Sequence, residues 1–215
     1  MKLFVSTIIA VLTLSTLYGQ DTNLFEQKAG ESDVFKAIRH RRSVRDFKDK
    51  PVSNDIIKTL VRAARWAPSS HNHQTWRFIA VRDNDARMKI ARAAHKHSGA
   101  EGSFKEIRKY LGMDAPVQIF VFNDTESREN PEADAVGCYA ATQNLLLAAY
   151  DMGLATCWQG WPLSAGKVID EVLNVPEGFE AVATVALGYP DANPEAPERK
   201  HELEEILWFE KYEKR

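Results

Sequence analysis

Cysteine is scarce in this chain: 215 residues carry only Cys138 and Cys157. Two thiols cannot build the disulfide framework of a small secreted scaffold. Cys138 falls in a helical pattern and Cys157 in a strand pattern, so both are expected to be buried, inert thiols. Charge of one sign is also missing. Twenty-eight Lys and Arg stand against thirty Asp and Glu, a formal charge of −2. A protein that grips nucleic acid normally shows a basic excess, which excludes nucleic acid as the main partner while leaving room for one small anion at a local cluster. No internal repeat, low-complexity tract or internal linker divides the chain, so one α+β domain is expected.

Long hydrophobic runs are limited to the first residues. "MKLFVSTIIAVLTLSTLYGQ" has one early cation, Lys2, then a mostly apolar run from Leu3 to Leu17. That run falls short of the ~20 residues of a membrane span and has the layout of a secretory signal. The expected organisation is a signal peptide over 1–19, a polar arm over 20–32 and a domain over 33–215 with a tail from about residue 202. Export to the periplasm follows, with the cytoplasm as the alternative should the stretch not act as a signal.

Helices and strands are mixed along the rest. "SDVFKAIRHRR" offers Ser32 as a cap and Val34, Phe35 and Ile38 as a short apolar face. In "SNDIIKTLVRAARWAPSS", Ile56, Ile57, Leu60, Val61, Ala64 and Ala67 recur at helical spacing, with Ser53 or Asn54 as cap and Pro68 as stop. "TWRFIAVR", "APVQIFVFND", "LATCWQG" and "FEAVATVALGYP" read as strands, the second apolar enough to be covered on both faces. "NDARMKIARAAHKH" and "SAGKVIDEVLN" read as helices. "DAVGCYAATQNLLLAAYDMG" is the longest, apolar almost all round and ended by Gly153, which places it in the core. The tail "HELEEILWFEKYEKR" reads as an amphipathic segment.

Four stretches could carry chemistry. "RRSVRDF" holds Arg41, Arg42, Ser43 and Arg45. A charged helix end explains it blandly, since cations favour the carbonyl end of the dipole. Guanidinium forks also fit phosphate oxygens, and Arg45, two residues past Ser43, would point to the same side in an extended exit. "APSSHNHQTW" presents Ser69, Ser70, Asn72 and Gln74 after Pro68, in a loop of ordinary turn residues. The pairs His71/His73 and His95/His97 lack a carboxylate or thiol at ligand spacing, so no metal is expected. In "GLATCWQGWP", Gly160 follows a strand where its backbone could approach a flat ligand. Arg199 follows a proline-rich turn in "PEAPERKHELEEI".

In this order and spacing, over about residues 33–207, the four stretches resemble the FMN-dependent nitroreductase family. The resemblance implies a three-layer α+β sandwich: a central, mostly antiparallel sheet flanked by helices, in a domain-swapped homodimer with FMN at the subunit interface. Arg41, Arg42 and Ser43 resemble phosphate and ribityl contacts, and Arg45 the cation beside N1 and O2 of the ring. Pro68, Ser69, Ser70, Asn72 and Gln74 resemble the loop contributed by the other subunit. Trp158, Gln159 and Gly160 resemble the strand end facing N5 and O4, and Arg199 a C-terminal phosphate ligand. Thr75 departs from the family's usual proline, Gln159 replaces a glutamate seen in some members, and "KEIRKYLGMDAP" matches nothing. No long lid like that of the iodotyrosine dehalogenase branch lies between Ala94 and Asp114.

The implied activity is ping-pong reduction of a small electron-poor acceptor, nitroaromatic or quinone, by NADH or NADPH, with Arg45 the catalytic cation. An exported enzyme would lie away from the cytosolic nicotinamides. A flavin-binding redox module served by a membrane quinol or a redox protein therefore stays open. So does a flavin-dependent dehydrogenase of a small substrate.

Overall fold

A computed structural model of the chain describes residues 32–99, 101–110, 112–126 and 131–213. The signal and nearly all of the arm expected at the N-terminus lie outside the described residues.

Helix α1 (Asp33–His40) leads into an extended segment and then α2 (Asn54–Ala64). A 3-10 turn (Ser70–Asn72) precedes β1 (Trp76–Val81), followed by α3 (Asn84–Ser98) and α4 (Phe104–Tyr110). Strand β2 (Val117–Asp124) feeds the long α5 (Pro131–Asp151), then β3 (Ala155–Gln159). A 3-10 turn (Trp161–Ala165), α6 (Lys167–Leu173), β4 (Phe179–Gly188) and the single turn α7 (Leu203–Ile206) complete the order. The sheet runs β1-β2-β4-β3, every pair antiparallel.

Period-two alternation makes this a three-layer sandwich. Val117, Ile119 and Val121 of β2 join Ala183, Val185 and Leu187 of β4 under α2 and α5, with Leu60, Leu145 and Leu146 in the same cluster. Phe120 and Phe122 point the other way, against Ile90 and Ala94 of α3 and Ile169 of α6. Strand β2 is thus buried on both faces, as its unbroken apolar run requires.

Most local expectations hold. Ser53 caps α2, its Oγ accepting from the Ile56 amide at 3.3 Å. Gly153 closes α5 at φ +71°, a left-handed conformation that disfavours residues with a Cβ. Cys138 and Cys157 are free and buried. Four expectations need correction. Ser32 stands before α1 but makes no side-chain cap bond. The apolar face expected on α1 points outward: Ala37 is buried, whereas Val34 and Ile38 are 64% and 47% exposed. The helix read through "SAGKVIDEVLN" breaks at Gly166 (φ +54°, ψ −132°), which separates a 3-10 turn from α6. In the tail, helix covers only Leu203–Ile206, and the chain is extended again at Leu207. Helix α4, inside the stretch that matched no family pattern, went unrecognised because it is short and charged.

Candidate functional site

The first structural fact about the site is a backbone bridge. Ser43 pairs in parallel with Thr156 of β3, and the Val44 amide donates to the Thr156 carbonyl at 3.0 Å. "RRSVRDF" therefore leaves α1 as an extended segment on the open edge of β3. Alternation buries Val44 at 4% exposure and turns Ser43 outward, with Arg41 and Arg45 half-buried. A second bridge, Phe47 to Pro190, fastens the far end of the segment.

This arrangement opens a cleft of about 510 Å³ whose lining includes Arg39, Arg41, Arg42, Ser43, Arg45 and Arg199. Five arginines against one carboxylate, Glu195, make it strongly cationic. Burial holds the Arg41 guanidinium below its ordinary pKa, the charge of Arg42 adds to that, and Arg41 Nε has no hydrogen-bond partner among the described residues. Such a group is stabilised by an anion that supplies the missing acceptor. Arg42 behaves partly as the bland account expects: its Nη1 donates to the carbonyls of Arg39 and Arg41 at 2.7 and 2.9 Å, at the end of α1. Arg199 is steadied by the Pro197 carbonyl at 3.1 Å. Sequence reasoning missed Arg39, although its place one turn before Arg42 signalled a shared side.

Trp158, Gln159 and Gly160 continue β3 beyond the Ser43 bridge. Trp158 is 37% exposed and lies against Tyr139, ring centroids 6.0 Å apart. Gln159 is buried, yet among the described residues neither Oε1 nor Nε2 finds a hydrogen-bond partner. An amide in that position is costly unless a ligand supplies a donor and an acceptor. At Gly160 an added Cβ would meet open space, and φ −96° does not itself require glycine. The missing side chain thus keeps the strand end clear.

Pro68, Ser69, Ser70, Asn72 and Gln74 are not part of this cleft. They form a separate loop that Gly137 of α5 approaches closely, where an added Cβ would stand 3.1 Å from Ser69 Cβ. The loop is strained: His71, Asn72 and Gln74 have φ of +46°, +59° and +53°. It is tied by Ser69 Oγ, which accepts from the Gln74 amide at 3.1 Å, and by His73 Nδ1 against Asp134 Oδ1 at 3.0 Å. The structure thus joins Arg41, Arg42, Ser43, Arg45 and Arg199, sets Trp158–Gly160 along the same strand, and leaves the 68–74 loop apart. Among the described residues, no group of three or more His, Cys, Asp or Glu is arranged to hold a metal.

The family model described as the Nitroreductase family matches residues 38–189. A protein of Methanothermobacter thermautotrophicus named "Putative NADH dehydrogenase/NAD(P)H nitroreductase" is 33% identical over 171 residues, 78% of this chain and 82% of that one. The nitrobenzene nitroreductase of Ectopseudomonas oleovorans is 30% identical over 220 residues, 80% of this chain and 94% of that one. A crystal structure of a nitroreductase with bound FMN from Desulfitobacterium hafniense superposes with a TM-score of 0.69 at 27% identity, covering 83% of this chain and 99% of that one. The chain belongs to the nitroreductase family.

Proposed function

We propose that the protein is an FMN-dependent oxidoreductase that reduces small electron-poor acceptors, nitroaromatics or quinones, with electrons from NADH or NADPH. The carrying observation is the Ser43–Thr156 bridge, which lays an arginine-rich segment along the strand that ends in the unpartnered amide of Gln159. A cationic cleft at one end and an orphaned amide at the other fit a nucleotide with a phosphate tail and a polar-edged ring.

Arg41, Arg42, Ser43 and Arg199 hold the phosphate and ribityl chain. Gln159 pairs with the ring edge, and Gly160 leaves room for close approach. Arg45 sets a fixed cation beside the ring where negative charge develops on reduction, an arrangement that contributes about 2.7–4 kcal/mol per well-placed donor in other enzymes. FMN held there by Arg41, Arg42, Ser43 and Arg199 would supply the two-electron chemistry between the nicotinamide and the acceptor.

The same reading makes the unit a homodimer by exchange of its tail. Leu203, Ile206, Phe209 and Tyr212 are 58%, 60%, 77% and 75% exposed. They are interleaved with Glu202, Glu204, Glu205, Glu210 and Glu213. At the open edge of β1 lies a matching groove, with Ile57, Val61, Trp76 and Phe78 as floor and Lys58, Arg62, Arg65 and Arg77 as rim. Apolar side chains meet an apolar floor there, and carboxylates meet cations. Docking the partner's tail also brings its strained 68–74 loop to the cofactor.

The test uses the chain from residue 20 onward, loaded with FMN and kept free of oxygen. Bleaching of the flavin by NADH or NADPH, and recovery of colour with a nitroaromatic, supports the reductase. The apolar run Leu3–Leu17 favours a second reading, an exported flavin redox module with a quinol or protein donor. A flavin that a quinol analogue bleaches and both nicotinamides leave untouched decides for that one.

A further inference from the structure

We propose that Arg87, outside the cationic cleft, is a positioning residue for Arg45. The proposal rests on the reading of Arg45 as the cation beside the ring. Arg87 belongs to α3 and is 7% exposed. Its Nη1 donates to the Met113 carbonyl at 3.4 Å and to the Ala115 carbonyl. Both carbonyls belong to the turn between α4 and β2. Burial pushes the Arg87 pKa down, partly offset by Asp114 and Asp83. A buried cation needs acceptors; here Nη1 finds them on the main chain of a single turn, while Nε has none among the described residues.

That turn is the wall behind Arg45. Gly112 adopts φ +64°, and a Cβ on it would stand 3.2 Å from Arg45 Cα and 3.1 Å from the Phe47 ring. Phe47 packs on Ala115, Cys157 and Ala186. On the opposite side the segment is held by the Val44–Thr156 hydrogen bond. The Arg45 backbone therefore sits between β3 and the 112–116 turn. Arg87 fixes the height of that turn by aiming two of its carbonyls inward. Loss of this guanidinium would leave both carbonyls to seek other donors and shift the Gly112 surface against which Arg45 rests.

The reduction potential of bound FMN reports where the Arg45 charge lies, and the thermal midpoint reports packing. Both are measured in Arg45→Met, Arg87→Met and the double variant. Arg45→Met is expected to weaken the grip on reduced relative to oxidised FMN about a hundredfold, which is about 60 mV for two electrons. Arg87→Met is expected to lower the potential by about half of that or more, and the double variant to match Arg45→Met alone, since the effect runs through Arg45. Arg87→Lys, which keeps the cation but not the fork, carries the same test if the methionine variant does not fold, with a smaller shift expected. A lowered midpoint with wild-type potential in the Arg87 variant overturns the proposal, as does additivity in the double variant. An unshifted Arg87 variant beside a shifted Arg45 variant removes Arg87 alone; an unshifted Arg45 variant removes the reading of Arg45 and this inference with it.

Discussion

His73 Nδ1 lies 3.0 Å from Oδ1 of Asp134, a carboxylate in the first turns of α5 that is only 4% exposed. The pair fastens a loop with three left-handed non-glycine residues to the longest helix of the fold. Strain of this kind persists only where the surroundings hold it. Asp134→Ala is expected to cost about 0.5–1.5 kcal/mol, since His73 loses its partner but is exposed enough for water to replace it. It should also weaken FMN binding, because the loop relaxes. Chemical denaturation and a flavin titration check the two effects separately.

Arg41 carries the sharpest prediction on cofactor affinity. Its guanidinium is half-buried with Nε unpartnered, so it gains most from an incoming phosphate. A lost hydrogen bond to a charged group costs about 1.5–3 kcal/mol, so Arg41→Met should weaken FMN about tenfold to a hundredfold. Arg42→Met should weaken it less, since Arg42 is already engaged with the carbonyls of Arg39 and Arg41. Quenching of FMN fluorescence at fixed salt measures both.

Much of this was legible from sequence, and the rest was not, for definite reasons. The strands announced themselves through apolar runs, and β2 through its lack of polar alternation. The arginine segment and the β3 end could be named as candidate site residues because their types and order are distinctive. Their closeness could not, because it depends on a parallel bridge between Ser43 and Thr156 that leaves no mark on either stretch. The outward face of α1 was misjudged because periodicity marks an apolar face without saying what covers it. Arg87 was unreadable: one arginine in a charged helix looks solvent-facing until the turn at Met113 and Ala115 is seen above it.

The two thiols should be inert in the folded protein. Burial pushes the Cys138 thiol up from 9.0 to about 11, with Asp134 adding and Thr75 opposing. Cys157 is raised by burial and partly restored by Arg45 and Arg41. An acid raised on folding contributes stability that is intact below its unfolded pKa and lost as pH climbs through the folded value. Stability is therefore expected to fall between about pH 9 and 11, and Cys138→Ala should flatten that fall. Ellman's reagent at pH 8 should find no fast thiol until denaturant is added, and two afterwards. A fast-reacting thiol in the folded protein would contradict the burial seen here.

Arg45→Ala should separate binding from chemistry. Arg41, Arg42 and Arg199 remain to hold the phosphate, so FMN stays bound, while flavin reduction by the nicotinamide slows about a hundredfold or more. Stopped-flow reduction without oxygen provides the number. Unchanged rates would remove Arg45 from the chemistry.

The central claim is that the segment around Ser43 and the end of β3 together grip FMN. Its most direct test is the visible spectrum and FMN fluorescence of the purified chain from residue 20 onward, with FMN added in steps. The account predicts a yellow protein with flavin absorption bands and saturable quenching at one FMN per chain. A colourless protein that leaves FMN fluorescence unquenched at every concentration would contradict it.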